Sequence, residues 1–182
     1  MIKKILLLGI VVIVLIVAIF SVVVAMQPSH YRVERSATMN APAPVVFNQV
    51  NDFHKWDAWS PWAKLDPNMK TTFEDAPAGT GAVYSWTGNN DVGEGRMTIT
   101  DSKPGELVKI KLEFIKPFAA TSDTVFNFKP QGNQTAVTWT MDGQNNFIGK
   151  AFCMFMNMDK MVGGDFEKGL AQMKAVAEKA AQ

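Results

Sequence analysis

The chain is poorest in the residues that most often carry chemistry. It has one cysteine and two histidines in 182 residues. A lone Cys153 forms no internal disulfide, so the fold must rest on its core. Cys153 sits in the apolar run AFCMFM, which reads as a small buried hydrophobe rather than a reactive thiol. His30 and His54 make a poor Cys-His pair, since His30 follows directly on a long apolar run. No HExxH, paired cysteine or histidine cluster argues for a metal, and neither a GxGxxG spacing nor a P-loop lysine is found among the glycines of GTGAVYSWTG and GEGRM. The reading therefore assigns no metal and no cofactor. Charge is equally unbiased, with 18 basic and 17 acidic residues. There is neither a basic stripe for nucleic acid nor an acidic tail.

What the chain has instead is a long hydrophobic run. Ile5 to Met26 carries no charge and no proline and follows Lys3 and Lys4. A helix of about 22 residues is roughly 33 Å long, enough to cross a hydrocarbon core of about 30 Å. The competing reading is a secretory signal cleaved after Ala25. A signal's apolar core is usually about 7 to 15 residues, and the greater length here favours an uncleaved anchor. No cysteine follows the run to take a lipid in its place. Lys3 and Lys4 vote for a cytoplasmic amino end, with Arg32 and Arg35 as an opposing vote, and the expectation is a domain on the far side, periplasmic in a bacterium. The division is an anchor over residues 1–27 and one domain over 28–182, a length that buries an ordinary core.

Within that domain the pattern is mostly of strands. Tyr31–Met39 reads as a first strand, Ala41-Pro42-Ala43-Pro44 breaks it, and a short helix runs to about Asn51. The aromatic segment DFHKWDAWSPWAKLDP then passes from a short helix or turn into a loop. Glu106–Phe114 alternates Val108, Ile110, Leu112 and Phe114 with charged residues, the period of a sheet with one wet face. Further strands are predicted near Lys70–Glu74, Ala82–Thr87, Gly95–Asp101, Thr121–Lys129 and Gln134–Asp142, with hairpin turns at Lys103-Pro104-Gly105 and Pro130–Asn133. After Gly149 the period lengthens. Phe155, Met158, Val162, Phe166, Leu170, Met173 and Ala177 form one stripe of a long final helix, which Gly163 and Gly164 bend or open to a close neighbour. The fold class is α+β: a curved antiparallel sheet wrapped around a long C-terminal helix, with a single transmembrane helix ahead of it.

The order of these elements, with WDAWSPW, GTGAVYSWTGNNDVGEGRMTI, TAVTWTMDG and MDKMVGGDFEKGL, resembles the SRPBCC (START-like) superfamily and within it the polyketide cyclase/dehydrase-like group, over nearly all of residues 31–179. The resemblance implies a helix-grip fold whose members hold lipids, sterols, polyketides or other apolar molecules between sheet and helix. It does not fix an activity, because the superfamily also holds cyclases, oxygenase domains and a chaperone-activating branch. The iron motifs of the oxygenase branch are missing.

The candidate cavity residues are aromatic and apolar. Trp56, Trp59 and Trp62 fall three apart, either gathering at a pocket mouth or membrane-facing rim, or plugging the sheet's open end as core. Trp86, Phe114, Phe126 and Trp139 are expected to face the helix, and Phe155, Met158, Val162 and Phe166 to face back. Core packing explains each singly; together they can line an apolar pocket. Met154, Met156, Met158 and Met161 add side chains that repack around varied guests. Arg96 enters the set as a guanidinium able to anchor a ligand carboxylate or enolate, against the simpler reading of a solvated cluster with Glu94, Glu113 or Lys111. Asp123, Asp142 and Asp165 are explained by turns and caps, and no catalytic residue is assigned. Binding of an apolar small molecule or lipid at the membrane is the leading function. A cyclase- or dehydratase-like enzyme and a protein-interaction module of the chaperone-activator type are the alternatives.

Overall fold

The computed structural model describes residues 2–182 apart from Met156. Helix α1 (Ile2–Ala25) precedes β1 (His30–Met39), α2 (Ala43–Asn51) and a single 3-10 segment, Phe53–Ala58. Six strands follow: β2 (Lys70–Asp75), β3 (Ala82–Thr87), β4 (Glu94–Lys103), β5 (Leu107–Lys116), β6 (Ala120–Gln131) and β7 (Gln134–Gln144). Helices α3 (Phe147–Cys153) and α4 (Met158–Ala180) close the chain. The expected strands are all present, each extended at one end or both except Ala82–Thr87.

The seven strands form one antiparallel sheet in the order β1-β7-β6-β5-β4-β3-β2, so the first strand closes against the last. Register shifts leave Ile115 as an extra residue of β5 opposite the Glu94–Gly95 step and Thr100 as an extra residue of β4 between Ile99 and Asp101. Such bulges increase local twist and bend the strand, which helps curl the sheet. Gly95 serves the same end. A Cβ there would overlap the indole of Trp86, which lies across the glycine.

The concave face is set by parity. Val33, Ile99, Val108, Ile110, Phe126, Phe128, Val137, Trp139 and Met141 point inward and are buried, joined by Phe166, Leu170, Met173 and Ala177 of α4. Helix α2 plugs the end of the sheet remote from α1 with Val46, Phe47 and Val50. Its free terminal carbonyls are capped from the 3-10 segment and its C-cap: Trp56 Nε1 donates to Val50 O at 3.0 Å and Trp59 Nε1 to Gln49 O at 2.9 Å. Each indole thus fills apolar space while its N–H satisfies an orphan backbone acceptor.

One expectation about the final helix needs correction. The stripe is split. Helix α3 and α4 are separate, and Phe155 lies between them with 78% of its surface exposed instead of facing the sheet. Asn157 explains the break, since its side chain accepts from Lys160 N and caps a new helix. Gly163 and Gly164 leave α4 continuous. Gly163 admits a close neighbour, the second of the two expected roles: a Cβ there would overlap the Arg35 guanidinium, whereas nothing among the described residues lies within 4 Å of one at Gly164. Arg35, inward-facing on β1, holds Asp159 Oδ1 at 2.8 Å and Glu167 Oε1 at 2.7 Å, clasping α4 to the sheet. Hydrogen bonding from this guanidinium holds the Asp159 carboxyl below its usual range.

Helix α1 is long and apolar enough to cross a membrane, a test that a signal sequence also passes. Only its last turns meet the domain, where Val24 is fully buried and α1 packs on α3.

Candidate functional site

Burial on the concave face is graded along the strands, and that gradient defines the site. In the half nearer α2, the large inward side chains of the strands are shut away from solvent, with only the small Ala37 partly open. In the half nearer α1 they are not: Trp86, Met97, Leu112 and Phe114 of β3 to β5 are half-buried, as are Tyr31 of β1 and Met158 and Val162 of α4. The result is an incompletely covered, mostly apolar strip between sheet and helix toward the α1 end, here termed the trough. Its inner end is closed by stacked rings. Trp139 lies flat on Phe166 with centroids 3.8 Å apart and planes 9° apart, and stacks on Phe126 at 4.7 Å. Trp59 and the half-buried Trp62 meet Trp139 edge-on at 5.8 and 6.0 Å.

Few polar groups reach this apolar floor. Tyr31 Oη and Ser122 Oγ share a hydrogen bond of 2.8 Å. Two other buried polar atoms, Thr124 Oγ1 and Trp139 Nε1, have no hydrogen-bond partner among the described residues. An unmet donor or acceptor in an apolar setting costs about 1–3 kcal/mol. Apolar walls with a few convergent polar atoms are the usual makeup of a small-molecule site. On the neighbouring part of the same face Tyr84 is buried, and burial, then the charge of Asp57, pushes its phenol up to about 12.

A concavity of about 480 Å³ adjoins the trough at its mouth. Gln27 and Pro28 below α1, His30 and Tyr31 of β1, Asn145, and Cys153 to Met158 around the α3–α4 link form its walls, Met156 lying outside the described residues. Tyr31 and Met158 belong to both spaces. Cys153 is half-buried here rather than sealed in a core, its sulfur accepting from Asn145 Nδ2 at 3.4 Å.

The predicted site residues divide accordingly. Trp86, Phe114, Met158 and Val162 line the trough, while Phe126, Trp139, Phe166 and Trp62 form its inner end. Trp56 and Trp59 are 5% and 0% exposed, so they are plug residues and no rim. Phe155 sits at the mouth, on the α1 side. Arg96 is corrected outright. It shares the parity of Ser85 and Glu113, opposite to that of Tyr84 and Met97, and so lies on the outer face, 3.7 Å from Glu74. Glu94 pairs with Lys116 at 2.6 Å, and Glu113 with Lys111 at 2.7 Å. Asp142 meets Arg32 at 3.0 Å on that face, and Asp123 opposes it across the strands. These carboxylates therefore stand outside the trough. Among the described residues no three His, Cys, Asp or Glu side chains gather to hold a metal ion. Sequence reasoning missed Tyr31, Ser122, Thr124, Met97 and Leu112. Tyr31 and Met97 were legible from strand alternation, whereas the polar pair Ser122 and Thr124 breaks the apolar rule that reveals an inward face.

A curved antiparallel sheet, a long C-terminal helix laid across it and an apolar space between them define a helix-grip, ligand-binding fold. The model of the family described as "polyketide cyclase / dehydrase and lipid transport" matches residues 30–178, and the chain belongs to that family. Solved structures agree on the fold. Protein MLL2253 from Mesorhizobium loti superposes with a TM-score of 0.60 at 12% identity, covering 82% of this chain and 98% of its own. Protein CV1439 from Chromobacterium violaceum gives 0.55 at 15% identity, over 82% and 97%. DynU16, a protein of the dynemicin biosynthetic locus, gives 0.56 at 13% identity, over 82% of this chain and 48% of its own. No curated protein matches the chain in sequence.

Proposed function

We propose that the chain is a membrane-tethered binding protein that holds an apolar small molecule or lipid in the trough between sheet and α4. The observation that carries this reading is the burial gradient: the large apolar side chains of β3 to β5 on the concave face, Trp86, Met97, Leu112 and Phe114, are incompletely buried toward the end where α1 joins. Such a surface is stable in water when something apolar occupies it. Residues 1–27 are read as an uncleaved anchor with the amino end cytoplasmic, on the strength of Lys3 and Lys4, and residues 28–182 as the binding domain. Tethering keeps the trough at high effective concentration beside a reservoir of apolar molecules, so modest affinity suffices. A cyclase or dehydratase reading has less support. It needs an acid or base at the guest, and the carboxylates of β4 to β7 named above lie on the opposite face.

The test is native mass spectrometry of the full chain purified gently in a mild detergent. A co-purifying apolar molecule is expected, and Leu112→Gln, which puts an amide on the trough wall, should reduce its retention several-fold while the thermal transition persists. Recovery of an empty chain from several lipid environments would refute the proposal.

A further inference from the structure

Among the described residues beyond Met26, every exposed large hydrophobic side chain except Leu65 and Phe73 lies at the α1 end of the domain. The β5–β6 hairpin contributes Ile115 and Phe118, the latter 69% exposed, and α3 contributes Phe147, Ile148 and Phe152. Helix α3 buries no residue at all. An amphipathic segment with its apolar side chains turned outward is expected to meet an apolar medium.

The position of α1 identifies the medium. Its carboxy-terminal turns pack on α3, and the ring of Phe155 stacks on Phe20 with centroids 6.5 Å apart. Phe20 lies five residues before the end of α1. At about 1.5 Å per residue, Phe20 lies roughly 8 Å from the end of α1, on the membrane side, and Phe155 reaches toward that level. Interfacial helices immerse their apolar face by about 5–10 Å. The lysines fit the same plane. Lys150 of α3 donates to Ala25 O, a free carbonyl at the end of α1, at 3.2 Å. Lys116 stands beside the hairpin tip and Lys160 on the first turn of α4, where long basic side chains reach lipid headgroups.

We infer that α3 and the β5–β6 hairpin dock into the bilayer leaflet from which α1 emerges, so that the domain is seated on the membrane rather than swinging from it. This rests on α1 spanning the bilayer and goes beyond ligand binding. Its consequence is geometric: the trough mouth faces lipid, and a guest passes between bilayer and trough without crossing water.

The test uses the full chain in nanodiscs of phosphatidylcholine and phosphatidylglycerol, with Cys153→Ser and one new cysteine at a time carrying an environment-sensitive fluorophore. Phe118→Cys and Phe152→Cys report the docking surface, Asn133→Cys the opposite end of the sheet, and Val14→Cys the middle of α1. Lipids with a shallow spin label should quench positions 118 and 152 several-fold more than 133, and a deep label should quench 14. Adding Ile148→Asp should reduce quenching at 118. Quenching at 118 and 152 no stronger than at 133, with 14 still quenched, overturns the docking while leaving the anchor and the ligand reading intact. Absence of quenching at 14 overturns the spanning helix and the docking with it.

Discussion

Gly163 and Gly164 are neighbours in one helix, yet the structure assigns them opposite responses to the same substitution. Alanine is favoured over glycine in a helix interior by about 1 kcal/mol, because glycine loses more backbone freedom on folding. At Gly164 nothing among the described residues lies within 4 Å of the added Cβ, so Gly164→Ala should collect the whole gain. In a domain of this size about 1 kcal/mol raises Tm by about 2–4 °C. At Gly163 the same methyl falls on the Arg35 guanidinium, which is fixed from several sides. Besides Asp159 Oδ1 and Glu167 Oε1, it donates to Asp159 O at 3.0 Å and to Glu34 O at 2.8 Å. It cannot step aside without giving up part of this set. Gly163→Ala should therefore fail to raise Tm and is expected to lower it. The assay is thermal unfolding by circular dichroism on the two single variants, then on both with Arg35→Ala. In that background the obstacle is gone, and Gly163→Ala should recover the gain seen at Gly164. Equal shifts for the two single variants, or no recovery beside Arg35→Ala, would refute the close approach of Arg35 to α4.

Two further outcomes follow from the interior. Thr124→Val keeps shape and strand preference while removing a buried hydroxyl that has no hydrogen-bond partner among the described residues; the domain should gain about 1–2 kcal/mol, and a lower Tm would sink this account of Thr124. Tyr84, buried and facing the charge of Asp57, should ionise only near pH 12 against an ordinary 10.0, as read from phenolate absorbance. Because the unfolded chain releases this proton first, stability falls as pH rises from about 10 to about 12; Tyr84→Phe should abolish that component of the decline, and an unchanged slope would count against the burial of the phenol.

The strands were legible because their signals are local. Alternation along Val108, Ile110, Leu112 and Phe114, and turn residues at Pro104-Gly105 and Gly132-Asn133, need no knowledge of partners. The final helix was legible only from Met158 onward. A three- and four-residue period also runs through Phe147 and Phe155, but it cannot tell a face packed on a sheet from one turned to another medium. Arg96 shows the same limit. Its alternation with Gly95 and Met97 gives two faces, and only the pairing of Gly95 with Trp86 and Phe114 tells which is concave.

By itself, then, the sequence determined an apolar amino-terminal helix, the strand succession and the absence of a cysteine or histidine framework, all properties of residue type and spacing along the chain. Tertiary structure alone decided which rings plug the sheet and which line the trough, that Arg35 rather than Arg96 faces the helix, and that the exposed apolar residues of α3 and the β5–β6 hairpin share one end with α1. These facts depend on distances between segments far apart in the chain, such as Arg35 and Gly163 or Phe20 and Phe155. Burial is a property of such neighbours, and local pattern carries no record of them.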